Sequence, residues 1–377
     1  MIYFLIFIVA ATALVWWILK LPVFGRLPAG FRLERIRAQP NYANGALNNL
    51  LPTPMQPEGV SMVTILRAFL KGDPARRPPV PIVPALPDFT RHGGAGSELC
   101  ITWFGHSSYL IQSEGKSLLV DPVFSERTSP FDFIGTKCFE GMNFMDTGKL
   151  PVPDVVLITH DHYDHMDFQV IKKLRKEKTI FICSLGVGAH LEHWQIESSR
   201  IHELAWYEHA EAAGFSLRAV PARHFSGRLF KRNQTAWSGF VLQTGNKRLF
   251  LGGDSGYGPH FKDIGEAYGP FDLALLECGQ YNEFWPYIHM FPEETVAAAA
   301  DLRTAALMPV HWGKFTLAMH PWNESVIRVR AKALETGMPL LTPRPGHTFR
   351  ISERPADAWW ENLQFAGTST QNIATAG

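Results

Sequence analysis

The chain has few cysteines, and none is placed to pair with another. Four occur among 377 residues, with no two close together: Cys100, Cys138, Cys183 and Cys278. A disulfide framework and a thiolate zinc site both need cysteines in sets. The pattern therefore argues against both and is typical of a protein in a reducing compartment.

The sequence also lacks an excess of charge of either sign. Its 36 Lys and Arg nearly match its 35 Asp and Glu, for a net charge of +1. A dedicated nucleic-acid-binding protein usually has a strongly basic face, so we expect no nucleic-acid partner. Hydrophobic residues make up 46% of the chain, which is enough for a large core.

One long apolar run covers residues 1–19 and ends at Lys20, which gives a candidate segment of residues 1–20. As a helix it is just long enough to cross a hydrocarbon core of about 30 Å, and Trp16 and Trp17 suit a membrane interface. A cleaved signal peptide is the alternative, but no Lys or Arg precedes the run and it is long for such a segment. The sequence therefore predicts a single-pass membrane anchor.

Basic residues follow this run directly: Lys20, Arg26, Arg32, Arg35 and Arg37. By the positive-inside rule they place the remainder of the chain in the cytoplasm. The unpaired cysteines agree with that location.

The rest of the chain divides into three predicted regions. Residues 21–95 form an N-terminal extension, residues 96–353 a hydrolase domain and residues 354–377 a polar C-terminal tail. The extension holds a helix candidate with apolar positions at helical spacing, which either packs on the domain or lies along a membrane surface: Val60, Val63, Leu66 and Leu70. A stretch with six prolines at 73–89 then predicts an extended strap over the domain surface.

Short runs rich in β-branched and aromatic residues predict strands throughout the domain. They read CITWFG, YLIQS, KSLLVDP, VVLITH, TIFICS, FSLRAVPA, SGFVLQT, RLFLGGD, LALLEC and AALMPVHW. Helix candidates between them are DFQVIKKLRKEK and PEETVAAAADLRT. Strand groups interspersed with helices predict an α/β fold, an αββα four-layer sandwich.

The sequence THDHYDHMD, at positions 159–167, carries the strongest functional signal. It follows an apolar strand, and α/β proteins tend to place their sites at the carboxyl ends of strands. His160 and His162 can reach one metal ion, and Asp164 and His165 can turn toward a second. Imidazole and carboxylate ligands suit Zn²⁺, with Fe or Mn as alternatives.

Further candidate ligands follow other predicted strands. His224 would complete the first ligand set, His311 the second, and a carboxylate at Asp254 could bridge both ions. Asp121 also ends a strand and would orient a ligand. The sequence therefore predicts a two-metal centre.

The order of these residues resembles the motif series of the metallo-β-lactamase superfamily. The chain is most similar to the N-acylphosphatidylethanolamine-hydrolysing phospholipase D group and its bacterial members, sometimes labelled RomA-like. The stretches that carry the resemblance are WFGHSSYLI, DPVFSERTSP, ITHDHYDHMD, GGDSGYGPHFKDIGEAYGPFDLA, IHMFPEETV and HWGKF, between about Thr102 and Phe315. The resemblance implies a two-zinc centre and phosphodiester hydrolysis, whereas the N-terminal region shows no such match.

A water shared by two ions has a lowered pKa and gives a hydroxide at neutral pH. We expect Asp164 and Asp254 to hold it for attack, and His289 to bind a substrate oxygen, to assist the leaving group or to cap the following helix. His106 either lines the pocket or is a buried hydrogen-bonding residue. Lys314 and Arg223 either attract a phosphate or are surface charges.

The predicted function is that of a membrane-anchored phosphodiesterase acting on N-acyl phosphatidylethanolamine-like phospholipids. A lactonase or other esterase is an alternative, because the same hydroxide attacks carbonyl carbons. An iron-dependent thiol oxygenase is another, and a binding protein with a vestigial site is a third.

Overall fold

The computed structural model describes residues 1–91, 98–146, 148–228 and 231–366. Its N-terminal part contains three α-helices, some short 3-10 turns and a hairpin: α1 (Ile2–Ile18), α2 (Phe31–Arg37), β1 (Tyr42–Ala43), β2 (Ala46–Leu47) and α3 (Met62–Lys71). The helix predicted around residue 65 is therefore confirmed as α3. Ser61 caps it by accepting a hydrogen bond from the Thr64 amide.

Helix α1 occupies most of the segment predicted to be a membrane anchor. It has 17 residues, and none of them is buried against the rest of the protein. Within the described ranges, we find no helix that combines the length and the apolar character needed to cross a bilayer.

The first half of the domain forms a sheet with two helices. Its elements are β3 (Cys100–Trp103), β4 (Tyr109–Ser113), β5 (Lys116–Val120), β6 (Val155–Ile158), α4 (Phe168–Leu174), β7 (Ile180–Ser184), α5 (Gly188–His193) and β8 (Ile201–Leu204). Strands β3, β4 and β5 pair antiparallel, and β5 to β8 pair in parallel.

The second half supplies another sheet. Its elements are β9 (His209–Ala212), β10 (Phe215–Val220), β11 (Gly239–Thr244), β12 (Lys247–Leu251), α6 (His260–Tyr268), β13 (Leu273–Glu277), α7 (Pro292–Asp301), β14 (Leu307–Val310), α8 (Glu324–Thr336), β15 (Thr348–Arg350) and α9 (Glu361–Ala366). The strand orders are β14-β13-β12-β11-β10-β9 and β15-β3-β4-β5-β6-β7-β8.

Apolar residues from both sheets share one core. Ile101 and Leu118 from the first sheet lie in the same buried cluster as Leu242 and Leu275 from the second. A second cluster joins the first sheet to α4 and α5, and α7 contacts β13 and β14. The predicted α/β sandwich with helices outside two sheets is confirmed, as is every strand and helix predicted within it.

The proline-rich strap runs over the domain surface as predicted. The Ile82 amide donates to the Glu140 carbonyl over 2.9 Å, and the Ala85 amide donates to the Pro345 carbonyl over 2.8 Å. Near the other end of the chain, Trp359 and Trp360 are buried beside Trp312, although they lie in the predicted tail. Residues 367–377 of that tail are outside the described part of the chain.

Candidate metal centre

All seven predicted ligands follow strands. Four lie on the loop after β6, and the others come after β10, β12 and β14: His160, His162, Asp164, His165, His224, Asp254 and His311. The fold brings these loops together, and their ligand atoms form overlapping groups in which all atoms lie within 4.8 Å of one another.

The first group consists of His160, His162 and His224. Nδ1 of His162 lies 2.9 Å from Nε2 of His160 and 3.3 Å from Nε2 of His224. Two nitrogens bound to a tetrahedral zinc at 2.0–2.1 Å are roughly 3.3 Å apart. The spacing of this group therefore fits three ligands of a single ion.

The second group contains Asp164, His165 and His311, together with His106. Nε2 of His165 lies 3.6 Å from Oδ2 of Asp164. The His106 ring is buried, with Nε2 2.9 Å from the same carboxylate oxygen, and it packs against the His311 ring at 4.0 Å between centroids. His106 thus has the buried, hydrogen-bonded placement that was one of the two predicted for it.

Asp254 lies between the two groups. Its Oδ2 is 3.1 Å from Nε2 of His165, 3.7 Å from Nε2 of His224 and 3.9 Å from Nε2 of His160. One carboxylate oxygen therefore faces ligands of both groups. This is the placement expected of a residue that bridges two ions.

His165 and His224 are each held by the ring nitrogen that faces away from the centre. Nδ1 of His165 donates to Oδ2 of Asp121 over 2.8 Å, and Nδ1 of His224 donates to the Ile288 carbonyl over 2.8 Å. Asp121 also accepts hydrogen bonds from the backbone amide and hydroxyl of Thr159. Its geometry suits the orienting role predicted for it, since such contacts fix the tautomer and direction of a histidine ligand.

The donor set fits metal ions because several buried polar atoms have no other partner. Within the described residues, His165 Nε2, His311 Nε2 and Asp254 Oδ1 are buried without a hydrogen bond. Unpaired buried polar atoms are costly and therefore rare. Their concentration at one place is explained if these nitrogens and oxygens coordinate ions.

Electrostatics also favour positive charge at the centre. Burial lowers the pKa of His160, His224 and His311 well below the usual value, which leaves neutral imidazoles able to bind metal. Burial opposes protonation of His165 too, but the carboxylates of Asp254, Asp164 and Asp121 outweigh it and raise its pKa. Three buried carboxylates around one imidazole thus demand a cation, and bound metal would displace the proton.

A carboxylate missed by sequence reasoning completes the site. Glu277, the last residue of β13, is fully buried, and Oε2 lies 2.7 Å from Nδ1 of His289. The ring of His289 lies 5.0 Å from that of His224 and 5.2 Å from that of His311. An acidic residue ending an apolar strand, the signal that identified Asp254, would have found Glu277.

Sequence reasoning also missed the contacts that fasten the metal loop from behind. The buried carboxylate of Asp161 accepts hydrogen bonds from the Gly227 amide, the Thr235 hydroxyl and Nε2 of His190. Nδ1 of His190 in turn accepts from the Arg26 amide over 3.0 Å. A chain of hydrogen bonds thus joins the loop between two ligands to the segment after α1.

Buried Arg228 makes a second such connection. Its guanidinium donates to the carbonyls of Asp161 and Met166, at either side of the loop, and to the Val23 carbonyl. Trp194 completes the set by donating to the Pro22 carbonyl over 2.6 Å. We call residues 22–26, with these partners, the N-terminal clasp.

The two residues considered for phosphate attraction have other partners. Lys314 is 2% exposed, and its ammonium donates to the Val123 carbonyl over 2.7 Å. Arg223 donates to Thr53 and to the Pro52 and Tyr257 carbonyls. Lys314 is therefore not the surface charge that one prediction made it, and Arg223 fastens the N-terminal extension beside His224.

Comparison with known proteins agrees with this geometry. Residues 116–312, more than half of the chain, match the family described as the β-lactamase superfamily domain. An uncharacterized protein of Mycobacterium tuberculosis is 42% identical over 312 residues, covering 81% of this chain and 83% of that protein.

Two further matches are to a named relative and to a solved structure. N-acyl-phosphatidylethanolamine-hydrolyzing phospholipase D 1 of Caenorhabditis elegans is 32% identical over 234 residues, which is 59% of this chain and 65% of that protein. The solved structure of Igni18, a metallo hydrolase from Ignicoccus hospitalis, matches with a TM-score of 0.51 at 22% identity, covering 67% of this chain and 98% of that one. The latter match concerns the fold alone.

The sandwich and the grouped side chains define a metal-dependent hydrolase of the metallo-β-lactamase fold. The chain belongs to the metallo-β-lactamase superfamily and, within it, is related to the N-acylphosphatidylethanolamine-hydrolysing phospholipases D.

Proposed function

We propose that this hydrolase uses two metal ions, zinc in the first instance, to cleave the phosphodiester of N-acyl phosphatidylethanolamine-like phospholipids. The observation that carries the proposal is the bipartite ligand set, with Asp254 facing both groups. The relationship to a phospholipase D supports the choice of substrate and of the bond that is cleaved.

The residues divide into those that hold ions and those that face the substrate. When bound, two divalent cations would supply Lewis acidity toward a phosphoryl oxygen and lower the pKa of a coordinated water. His160, His162 and His224 would hold one ion, and Asp254 would be shared by both. Asp164, His165 and His311 would hold the other, with His106 fixing the Asp164 carboxylate by its hydrogen bond.

His289 is the residue best placed to act on the substrate. Its side chain is 12% exposed, and within the described residues its Nε2 has no protein partner. A histidine beside the reacting group can bind a phosphoryl oxygen or carry a proton to the leaving oxygen. We assign it this role, with Asp164 and Asp254 holding the attacking water in place.

An exposed apolar helix, attached on both sides to the loops that carry metal ligands, supports a lipid substrate. The segment containing α3 is fastened beside His224 through Arg223, and beyond His311 through a 2.6 Å hydrogen bond from the Thr316 hydroxyl to the Arg76 carbonyl. Large apolar side chains on α3 remain exposed: Met62, Val63, Leu66 and Leu70. Exposed apolar patches mark lipid or protein contacts, and this one would receive acyl chains.

We also propose that α1 holds the protein at a membrane, with the catalytic domain on the cytoplasmic side. Its large apolar side chains from Ile2 to Trp17 are exposed, and Ile18 at its end is half-buried. Lys20 lies over the Trp16 ring at 3.9 Å, an arrangement suited to the interface between lipid and water. A phospholipid substrate would then be presented at high local concentration.

Isotope transfer tests the reaction directly. Zinc-loaded protein is incubated with N-acyl phosphatidylethanolamine in oxygen-18 water, and the products are analysed by mass spectrometry. Phospholipase D-type cleavage gives labelled phosphatidic acid and an unlabelled N-acylethanolamine, because water oxygen joins phosphorus. If the label appears in a released fatty acid instead, water has attacked a carbonyl carbon, and the proposed phosphodiester cleavage is wrong.

The same preparation separates the remaining alternatives. A lactone panel run in parallel detects a lactonase, whose label appears in the opened ring. Iron as the metal required for activity, with oxygen consumption on thiol substrates, would identify an oxygenase and reject the hydrolytic proposal.

A further inference from the structure

We propose that Glu277 is a positioning residue that holds His289 with its Nε2 toward the metal centre. The inference rests on the proposed hydrolytic function and adds to it a residue that the metal ligands do not include. Its basis is one buried carboxylate that binds both His289 and the backbone on either side of the site.

The Glu277 carboxylate accepts three hydrogen bonds from described residues. Oε1 accepts from the amides of Ser255 and Met290, each over 3.1 Å. Oε2 accepts from Nδ1 of His289 over 2.7 Å. Ser255 follows the bridging Asp254, and Met290 follows His289, so the carboxylate ties the end of β13 to the two loops that carry these residues.

The pairing decides what the other ring nitrogen can do. A carboxylate that accepts Nδ1–H fixes both the tautomer and the direction of an imidazole. Nε2 is then left to face the centre, and no hydrogen bond within the described residues competes for it. Burial raises the pKa of Glu277, and the two amides on Oε1 oppose this by stabilising the ionised carboxylate, which is the form that accepts the Nδ1 proton.

This arrangement provides a path for the proton of the reaction. Hydrolysis forms a bond from water oxygen to phosphorus and breaks the bond from phosphorus to the leaving oxygen. One water proton must reach that oxygen, while the other remains with the phosphate product. Nε2 of His289 takes up the first proton and delivers it, and Glu277 holds the ring during both transfers.

The test is a double-mutant cycle with Glu277→Gln and His289→Ala. Glutamine that keeps its oxygen on the two amides loses the charge and turns its NH2 group toward Nδ1, so the His289 ring must accept there and carry its proton on Nε2. We expect kcat to fall roughly 10- to 100-fold in Glu277→Gln and roughly 10²- to 10⁴-fold in His289→Ala. Metal content and KM should stay near wild-type values in both.

The double variant decides whether Glu277 acts through His289. We expect Glu277→Gln to cause no further loss once His289 is alanine, because residues that act as a unit are not additive. Full activity in Glu277→Gln, loss of bound metal in that variant, or independent losses in the double variant would each overturn the proposal.

Nitrogen NMR of the wild-type protein gives a readout that needs no activity. The resonances missing in His289→Ala identify the ring, and we expect its proton on Nδ1. A neutral ring protonated on Nε2 alone would contradict the pairing. If the wild-type protein hydrolyses neither the phospholipid nor the lactones, the proposed function is refuted. The NMR experiment would still show whether His289 carries its proton on Nδ1, as the contact with Glu277 requires.

Discussion

At the scale of single residues, Asp254 carries the most demanding role, because its carboxylate faces both ligand groups. Burial raises its pKa to about 6 in the absence of bound cations, so metal is needed to keep it ionised under acidic conditions. We expect Asp254→Asn to bind fewer than two ions and to lose at least about 100-fold in hydrolysis. Elemental analysis and a product assay measure both.

The matched control is Asp132→Asn, the same substitution at an exposed position. It should retain two ions and wild-type turnover. Unchanged metal content and activity in Asp254→Asn would remove the basis of the bridging assignment.

The buried ammonium of Lys314 makes a prediction about pH. Burial lowers its pKa from 10.5 to about 8, so the folded protein releases this proton at lower pH than the unfolded chain does. Stability from this group should therefore rise between pH 8 and 10.5. The whole difference between the unfolded and folded pKa of Lys314 corresponds to about 3 kcal/mol in the free energy of unfolding.

Urea unfolding at pH 7.5 and 9.5 can detect this contribution. The free energy of unfolding of wild type relative to Lys314→Met should increase at the higher pH, while exposed Lys178→Met gives no such change. If the free energies of unfolding of wild type and Lys314→Met differ by the same amount at both pH values, burial does not lower the pKa of Lys314.

Much of the centre could be predicted at this scale, because a histidine- and aspartate-rich loop after a strand is unusual in itself. The burial of Lys314 could not, because it depends on the distant Val123 carbonyl and on Phe124 and Phe315 around the ammonium. The link from Glu277 to His289 was equally hidden, since 12 residues separate the two in the chain.

At the scale of elements, the N-terminal clasp connects the start of the chain to the metal loop. His190 on α5 is central to it, since it binds both the Arg26 amide and Asp161. His190→Ala leaves buried Asp161 with one partner fewer, and we expect a loss of about 1–3 kcal/mol in stability. Metal should also pass to a chelator faster, because the loop between His160 and His162 loosens.

His193→Ala, on the same helix and partly exposed, serves as the matched control and should change neither quantity. Urea unfolding and the rate of zinc transfer to a chromogenic chelator measure the two effects. If His190→Ala keeps the stability and the zinc-transfer rate of wild type, the N-terminal clasp neither stabilises the protein nor holds the metal loop.

Helix α1 makes the other prediction at this scale. Full-length protein should sediment with membranes and resist high-salt extraction, whereas a chain lacking residues 1–20 should be released. A reporter at the C-terminus should behave as cytoplasmic. Release of the intact protein by salt, or a reporter on the opposite side of the membrane, would disprove the anchor or its orientation.

Strands buried on both faces were predictable as elements because their sequences are almost wholly apolar. Strands β8 and β9 were not, since IHEL and HAEA lie at sheet edges and keep polar residues exposed. Arg32 and Arg35 show a similar limit. In the sequence they indicated the membrane orientation. In the structure they also form ion pairs that attach α2 to the domain, Arg32 with Glu192 at 2.6 Å and Arg35 with Glu208 at 2.7 Å.

At the scale of the whole molecule, bound metal should contribute to folding stability. The carboxylates of Asp121, Asp164 and Asp254 surround His165, and removing the ions leaves their charge offset only in part, by a proton on that ring. We expect chelation to lower the thermal midpoint, with an effect of about 4 kcal/mol at a free metal concentration 1,000 times Kd.

Thermal unfolding followed by circular dichroism, before and after dialysis against EDTA, measures this effect. Added zinc should restore the midpoint in wild type, and less so in Asp254→Asn. An identical midpoint with and without metal would mean that the ligand groups form no binding site in the folded state.

The attachment of Pro22 and Val23 to the catalytic domain also limits how far the enzyme can reach. Helix α1 is capped at Leu19, and the Pro22 carbonyl is already bound by Trp194. The three steps of chain between them span at most about 10 Å. If α1 lies in a bilayer, this segment is too short for the domain to reach a neighbouring vesicle. Catalysis is then confined to lipids of the membrane that holds the protein.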